Sequence, residues 1–390
     1  MQNRRKGAGV HSFYEFFAGG GMARAGLGPN WSCLFANDFD HKKGRTYTAN
    51  WGNVPELTVG DVRKLKLSQM PGHAELVWGS FPCQDLSLAG GGAGLKGDRS
   101  GTFWPFWTHM KALIADNRAP KIIVLENVCG TLTSHDGKDF VAIGSALQQA
   151  DYRFGAVVVD AALFVPQSRP RLFIIAVRKT AQLPTALISE EPSDQWHPRA
   201  LRTAHEKLSP QTNQSWVWWK FPKPAKRNTT FADLIEENPT DVPWHTREET
   251  QQLLSMMSEI NLKKVREAKR SGVRTVGGVY KRTRVNENGR KVQRAEIRFD
   301  DVSGCLRTPA GGSSRQVIVI VNGNTVRSRL ISSRETARLM GLSDDYILPT
   351  NYNEAYHLTG DGVVVPVVRH LAEHIFEPIL SPAEEARVAA

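Results

Sequence analysis

The sequence predicts an α/β protein: a Rossmann-like, mostly parallel sheet in a larger domain, followed by a smaller, β-containing basic domain. Three observations predict it. Short apolar runs alternate with stretches of helical length between His11 and Val177, the pattern of strands joined by helices into a parallel sheet. A glycine turn, Ala18-Gly19-Gly20-Gly21, follows directly on the first of those runs, as in the opening unit of a nucleotide-binding fold. Beyond Ala181 the alternation stops, and prolines, tryptophans, Asn-Gly pairs and surplus positive charge replace it.

The first strand is read over His11 to Phe17, with a helix from about Ala23. Glycines between them let the backbone approach a ligand beside a helix N-terminus. The next apolar run, Ser32 to Ala36, ends in Asn37-Asp38-Phe39, about twenty residues beyond the glycines, where an acid grips a ribose hydroxyl. Asp38 and Asp40 both also suit a helix cap. Together the glycines and the acid favour an adenosine-containing cofactor. Then follow Gly60-Asp61-Val62, the apolar run Ala74 to Trp78, a helix from Thr102 to Asn117 and a strand from Lys121 to Leu125. A helix over Lys138 to Gln149 and strands at Gly155 to Val159 and Leu172 to Val177 complete the alternation. Phe17, Asp38, Asp61, Cys83 and Glu126 fall at or just past strand ends, the edge where such sheets bind ligands.

In the second half Thr246 to Arg270 reads as one helix, stopped near Gly272. Asn288-Gly289 and Asn322-Gly323 mark hairpins. Ser332 and Glu335 have the spacing of a capping box for a helix through Met340. Gly360 to Val364 reads as a loop feeding an amphipathic helix that runs to Leu380. Trp216, Trp218 and Trp219 stand among Lys220, Lys223, Lys226 and Arg227, and core packing suits them better than nucleic-acid contact.

With 390 residues, 41% of them hydrophobic, the chain can build one large and one smaller core, or two to three ordinary ones. No run is long enough to span a bilayer, and Met1 to Gly7 lacks the apolar stretch of a secretory signal, so a soluble intracellular protein is expected. Cys33, Cys83, Cys129 and Cys305 form no Cys-x-x-Cys pair, which indicates neither a disulfide framework nor a metal site. The formal charge is +11, and between Asn261 and Leu330 there are 17 Lys plus Arg against 5 Asp plus Glu. One basic lobe on a near-neutral body is the footprint of a nucleic-acid binder.

The apolar run Ala74 to Trp78 leads into Gly79-Ser80-Phe81-Pro82-Cys83-Gln84 and then a glycine-rich stretch, Gly90 to Gly97. A lone cysteine is more often a buried structural residue. Pro-Cys-Gln at a strand end, with Ser87 and glycines after it, makes poor core, and Cys83 therefore reads as a nucleophile. Such a cysteine works as the thiolate. Pro82 stiffens the backbone before it, and the N–H groups of a turn favour its charge.

Phe81-Pro82-Cys83-Gln84 with Ser87 resembles the catalytic loop of the DNA cytosine-5 methyltransferases. Other landmarks of that family stand in its order. Phe17-Ala18-Gly19-Gly20-Gly21 is similar to the cofactor loop, and Asp38 and Phe39 to the acid and aromatic that hold ribose and adenine. Asp61-Val62 resembles the adenine contacts, Glu126-Asn127-Val128 the Glu-Asn-Val triplet, and Gln167, Arg169 and Arg171 the Gln-x-Arg-x-Arg signature. Arg334 to Gly341 is similar to the Arg-Glu-x-x-Arg-Leu-x-Gly region, and Gly360 to Val364 to the last motif. The similarity covers roughly residues 11 to 180 and 330 to 380 and leaves out the stretch between. Two departures stand out: Met22 occupies the place of a further glycine, and Asp361-Gly362 replaces the usual Asn-Ser, removing an amide and a hydroxyl used near the cofactor's methionine end.

The resemblance implies a site-specific DNA methyltransferase. Its catalytic S-adenosylmethionine-binding domain would span residues 1–180, its target-recognition domain 181–328, with a C-terminal return at 329–390. S-adenosyl-L-methionine would be held by Phe17, Gly19, Gly21, Asp38, Phe39, Asp61, Val62, Pro82, Phe103, Asp361 and Val363. Cys83 would add to C6 of cytosine, Glu126 would bond N3 and the amino group, and Arg169 and Arg171 would contact O2 and phosphates. The base has to leave the duplex for this, and loops around Arg307 to Arg315 are placed to read base edges. The implied partner is double-stranded DNA, with no membrane and a monomeric enzyme. A prokaryotic or phage-type cytoplasmic setting at the nucleoid is expected, with room for a cognate restriction endonuclease. The alternatives are the same chemistry on RNA and a catalytically silent DNA-binding relative. The target sequence is not legible.

Overall fold

Seven strands form the main sheet of the computed structural model, which describes residues 11–52, 55–82, 102–285, 289–307 and 315–381. Cys83, Gln84, Ser87, the glycines from Gly90 to Gly97 and Asn288 lie outside the described residues. The strands are β1 (His11–Phe16), β2 (Trp31–Asp38), β3 (Leu57–Val59), β4 (Leu76–Gly79), β5 (Ile122–Asn127), β6 (Tyr152–Asp160) and β7 (Pro170–Arg178), in the order β3-β2-β1-β4-β5-β7-β6. β1 to β5 pair in parallel, while β7 runs antiparallel to both β5 and β6. The connection 161–169 explains the reversal, being shorter than the dozen or so residues that a parallel crossover takes. β4 and β5 are buried along their whole length, as central strands covered on both faces must be. The α/β, mostly parallel fold is as the alternation predicts.

Among the described residues four α-helices join these strands: α1 (Met22–Leu27), α2 (His41–Trp51), α3 (Phe103–Ala115) and α4 (Lys138–Gln149). Phe16, Phe35, Phe106, Met110, Leu125, Ile143 and Ile174 are among the residues of one core cluster. The β6 edge is covered by the segment that carries α5 (Arg199–His205), α6 (Pro210–Asn213) and a short ribbon of β8 (Ile188–Ser189) and β9 (Trp218–Trp219). Across that edge the Phe154 amide donates to the Ser215 carbonyl and the Val217 amide to the Phe154 carbonyl. Trp219 is fully buried and Trp216 meets Phe154 edge-on at 5.3 Å, so these tryptophans pack, as expected. Contacts divide the chain into two units, and the described residues of the first fall within Met1–Asp160, Pro170–Pro224 and Val365–Ala390.

The second unit comprises Ala161–Arg169 and the described part of Ala225–Val364. Its sheet has the order β11-β10-β12-β13, built from β10 (Thr275–Val285), β11 (Lys291–Arg298), β12 (Val317–Asn322) and β13 (Thr325–Leu330), all antiparallel. Against it lie α7 (Arg247–Ser255) and α8 (Glu259–Ser271), with Leu253, Val265, Val279, Ile297 and Val319 in one core. The single helix expected from Thr246 to Arg270 is thus two. Met257 is buried and bridges to Ala295 of β11, and the extended Ser258 then starts a new helix. The hairpin near Asn322 turns on Gly323-Asn324, because Asn322 itself pairs with Thr325.

Ser332 and Glu335 do form a capping box, on α9 (Ser333–Leu339). Gly360 and Asp361, expected in a loop, instead end α10 (Tyr352–Asp361), where Gly362 is the cap. The chain returns to the first unit with α11 (Val365–Leu371) and α12 (Glu377–Leu380), joined by a π-helical turn at Ala372–Phe376. Gly26 of α1 leaves room for Val365 and Val368 of α11, since a Cβ there would come within 2.4 Å of the Val368 side chain.

Candidate active site

Strand register gathers the site. Phe16 pairs with Asn37 on one side and Gly79 on the other, Gly79 pairs with Leu125, and Asn127 faces Leu172. Phe17, Asp38, Pro82, Glu126 and Arg171 therefore share one edge of the sheet in the first unit, and Asp61 follows from β3 on the same side. Cys83 follows Pro82 directly but lies outside the described residues.

At the left of this edge the glycine turn and the acid are joined. The Gly19 amide donates to Asp38 Oδ2 at 2.7 Å and the Asp40 amide to Oδ1 at 2.8 Å. Asp40, and not Asp38, caps α2, taking the Lys42 amide at 2.7 Å. Burial pushes the Asp38 carboxyl up, against the pull of Lys43 and of those two amides. Phe17, Gly19 and Gly21 all have positive φ, at 59°, 56° and 78°. A Cβ at Gly19 or Gly60 would meet nothing within 4 Å among the described residues, whereas one at Gly21 would lie 2.2 Å from Trp51 Nε1. That indole donates to the Gly20 carbonyl at 3.2 Å, and the Arg24 guanidinium lies 4.6 Å over its ring.

Beside Asp38, Phe39 is 73% exposed, an aromatic face offered to solvent. Asp61 takes the Arg63 amide at 2.9 Å, and Val62 is buried behind it. Phe103, the first residue of α3, is fully buried against Phe81 and Trp107, with ring centroids 5.4 and 6.1 Å away. Open space at Gly19 and Gly60, the Asp38 carboxyl as an acceptor, the exposed Phe39 ring and the Asp61-Val62 backbone are groups compatible with an adenosine moiety.

At the right of the edge Asn127 Nδ2 donates to the Phe81 carbonyl at 3.1 Å, and Asn127 Oδ1 accepts from the Val128 amide at 2.9 Å. The end of β5 is thereby fastened to the turn that carries Pro82. Glu126, itself buried, has Oε1 3.3 Å from Arg171 Nε. A strand-end ion pair, the plain structural role for Glu126, is thus present together with the position expected of a functional acid. Cys129, one turn on, has its thiol pushed up by burial, against the opposing Arg171 charge.

Arg169, Asp361 and Val363 belong to the second unit. Arg169 is only 2% exposed and donates to the carbonyls of Gly360 and Gly362, both at 2.8 Å, and of Leu306 at 3.2 Å. Gln167 donates to the Leu339 carbonyl at 2.8 Å and accepts from the Leu306 amide at 3.2 Å. The Gln-x-Arg pair therefore fastens the end of α10 and the segment before residue 308. Asp361 is exposed at that helix end and Val363 is buried just beyond it. Of the loop expected to read bases, residues 308–314 lie outside the described residues.

In the same unit β10 and β11 run on beyond the core as a two-stranded ribbon. Arg282 faces Arg294 and Arg284 faces Val292, with Lys291 at the far end. Glu296 is shared by Arg282 and Arg284, at 3.3 and 3.0 Å.

Sequence reasoning missed Glu15, Trp51 and His109, which stand directly behind these parts. A charged residue inside an otherwise apolar first strand was the signal for Glu15. For Trp51 and His109 no spacing in the sequence gave one.

Known proteins resemble the whole chain. The Type II methyltransferase M.HhaI of Haemophilus parahaemolyticus is 25% identical over 365 residues, covering 93% of this chain and 93% of that protein. M.HpaII of Haemophilus parainfluenzae is 25% identical over 388 residues, covering 94% and 90%. Among solved structures, the Entamoeba histolytica methyltransferase EhMeth has a TM-score of 0.60 over 94% of this chain and 98% of that chain, at 15% identity. S. pombe Dnmt2 has a TM-score of 0.55 over 95% and 99%, at 16% identity, a likeness of fold. The model of the C-5 cytosine-specific DNA methylases matches residues 11–377, from β1 to the start of α12. The chain is a member of the C-5 cytosine-specific DNA methylase family.

Proposed function

We propose that this DNA cytosine-5 methyltransferase extrudes a cytosine from duplex DNA, adds the Cys83 thiolate to C6 and methylates C5, with Glu126 and Arg171 holding the ring. One arrangement supports this reading most. The Glu126–Arg171 pair and the Phe81-Pro82 turn stand at the carboxyl ends of neighbouring strands, bridged by Asn127, on the edge that also carries Gly19, Asp38 and Phe39.

C5 of cytosine is a poor nucleophile. When the Cys83 sulfur bonds to C6, the C5–C6 π pair moves onto C5 and negative charge spreads towards N3. Glu126 stabilises that charge through a proton shared between its carboxyl and N3 while its other oxygen accepts from the amino group, and Arg171 donates to O2. S-adenosylmethionine, when bound, supplies the electrophilic methyl group that C5 accepts. A base, water or hydroxide from solvent, then takes the C5 proton, and the C–H pair re-forms the C5–C6 double bond. The S–C6 pair leaves with the thiolate, and the shared proton returns from N3 to Glu126. Asp38 would take the ribose hydroxyls, Phe39 the adenine face and Asp61-Val62 its edge. Phe17, Gly19 and Gly21 would supply the close backbone approach, and Pro82 and Phe103 would complete the first unit's set; Asp361 and Val363, in the second unit, are carried over from the resemblance alone. Arg169, occupied by the Gly360 and Gly362 carbonyls, would act by fixing that turn.

The second unit would take up the duplex. A two-stranded ribbon fits the major groove, and Arg282, Arg284, Lys291 and Arg294 would contact phosphates, making affinity fall with salt. The same reading takes the enzyme as a monomer at the nucleoid, with room for a cognate restriction endonuclease but none identified. The test uses duplex DNA carrying 5-fluorocytosine, with S-adenosylmethionine. Wild type is expected to form an adduct that survives denaturing electrophoresis, and an adduct formed by Cys83→Ala would refute the assignment. Methyl transfer to RNA but not to duplex DNA would favour the RNA alternative.

A further inference from the structure

We propose that His109 is a positioning residue for the cofactor, holding the Asp61-Val62 turn from behind in the shape that receives the adenine edge. The inference rests on the assignment of Asp61 and Val62 to the adenine made above. His109 sits on the apolar face of α3, between Phe106, Met110 and Leu113, and is itself buried. An imidazole on such a face costs stability unless its polar atoms are satisfied. Its Nε2 lies 2.7 Å from the carbonyl oxygen of Val62. A carbonyl only accepts, so Nε2 carries the proton and donates.

That carbonyl belongs to a single 3-10 turn, Val62–Lys64. Short turns of this kind have few bonds of their own and poor geometry. The turn's backbone bonds are Lys64 N to Asp61 O at 2.9 Å and Leu65 N to Val62 O, which is long at 3.4 Å, and the Asp61 carboxylate caps it through the Arg63 amide at 2.9 Å. The imidazole is thus the short bond to Val62 O. The ring also lies nearly parallel to Phe16, at 19° and 6.3 Å between centroids, and Phe16 precedes Phe17 of the glycine turn. One buried side chain therefore braces both sides of the cradle while standing behind the backbone that faces the ligand.

The experiment compares wild type, His109→Leu and His109→Gln. It measures initial rates on duplex DNA with varied S-adenosylmethionine, S-adenosylhomocysteine affinity by calorimetry, and thermal melting. His109→Leu is expected to raise the cofactor KM and the S-adenosylhomocysteine Kd about tenfold, the size of one buried hydrogen bond. Its kcat at saturating cofactor and its KM for DNA should stay within about twofold. Glutamine, whose amide reaches as far as Nε2, should recover most of the lost affinity. An unchanged cofactor KM in His109→Leu, an equal loss in kcat and in KM for DNA, or glutamine as impaired as leucine would each overturn the proposal. If His109→Leu does not fold, His109→Asn replaces it, its donor stopping short of Val62, and glutamine must still outperform it. A wild type that binds no S-adenosylhomocysteine sinks the cofactor site itself; normal wild-type binding with no His109 effect sinks only this inference.

Discussion

Asn127 reaches from the end of β5 to the carbonyl oxygen of Phe81 beyond the end of β4, donating from Nδ2 at 3.1 Å. Its own Oδ1 is held by the Val128 amide at 2.9 Å, so both ends of the carboxamide are used. Two strands that are neighbours in the sheet are thereby locked at their tips as well, and the peptide leading into Pro82 and Cys83 has its start fixed relative to Glu126.

Removing this tie should cost rate more than binding. Asn127→Ala is expected to lower kcat by up to about 100-fold, since displacing a reacting group by roughly 1 Å has that effect, with the cofactor KM little changed. Asn127→Asp should do no better, because a carboxylate cannot donate to the Phe81 carbonyl. Steady-state kinetics of both variants decide it, and a fully active aspartate variant would remove the tie from the mechanism.

Much of this arrangement was legible in the sequence and some was not, for reasons that differ by residue. The strands and their ends were visible because buried parallel strands read as apolar runs, and the register then had to bring Phe17, Asp38 and Glu126 to one edge. The capping box at Ser332 was visible because it is a local event. The break at Met257 was not, since it depends on a bridge to Ala295 nearly forty residues away in sequence. Whether Asp38 or Asp40 caps α2 was equally hidden, because the answer lies in the Gly19 amide that claims Asp38. Arg169 reads in sequence like any basic motif residue, and only the carbonyls of Gly360 and Gly362 reveal it as a fastener.

Gly21 carries a double constraint, a φ of 78° and an indole nitrogen 2.2 Å from where a Cβ would stand. Gly21→Ala should therefore weaken S-adenosylhomocysteine binding and lower the melting temperature together. Adding Trp51→Ala removes the worst contact but leaves Tyr47 Cε2 at 3.0 Å and the left-handed backbone, which costs about 1–2 kcal/mol, so recovery should be partial. Gly19→Ala, with a similar φ but open space, should lose stability only by that backbone amount. Calorimetry and melting curves on the three variants check this, and a double variant that recovers fully would mean the backbone is not strained.

In the second unit Arg329 and Glu335 form a bidentate pair, at 2.8 and 2.5 Å, with both side chains wholly buried. Glu335 also accepts the Ser332 amide, and Ser332 caps the same helix. Glu335→Ala leaves a buried guanidinium uncompensated and should destabilise by about 3–5 kcal/mol. Replacing both partners with apolar residues, Arg329→Met with Glu335→Leu, should cost less than the single change. Urea denaturation of the single and double variants measures this, and equal losses would contradict it.

Glu15 sets a pH dependence whose sign follows from its burial. It is 1% exposed near the carboxyl end of β1, and one of its oxygens has no hydrogen-bond partner. Burial pushes its carboxyl up from 4.5 to about 8, the Arg24 charge and the first amides of α1 opposing only in part and Asp38 adding to the rise. The native state thus keeps a proton that the unfolded chain has already lost above about 4.5. Between there and 8 unfolding releases that proton, so this residue's contribution to stability falls as pH rises, and the fall is complete above 8. A glutamine has the same shape and no proton to lose. Glu15→Gln should be close to wild type in urea midpoint at pH 4.5 and increasingly more stable than it from pH 6 to pH 9. Parallel midpoint profiles for the two proteins across that range would show that the carboxyl is ionised in the fold after all.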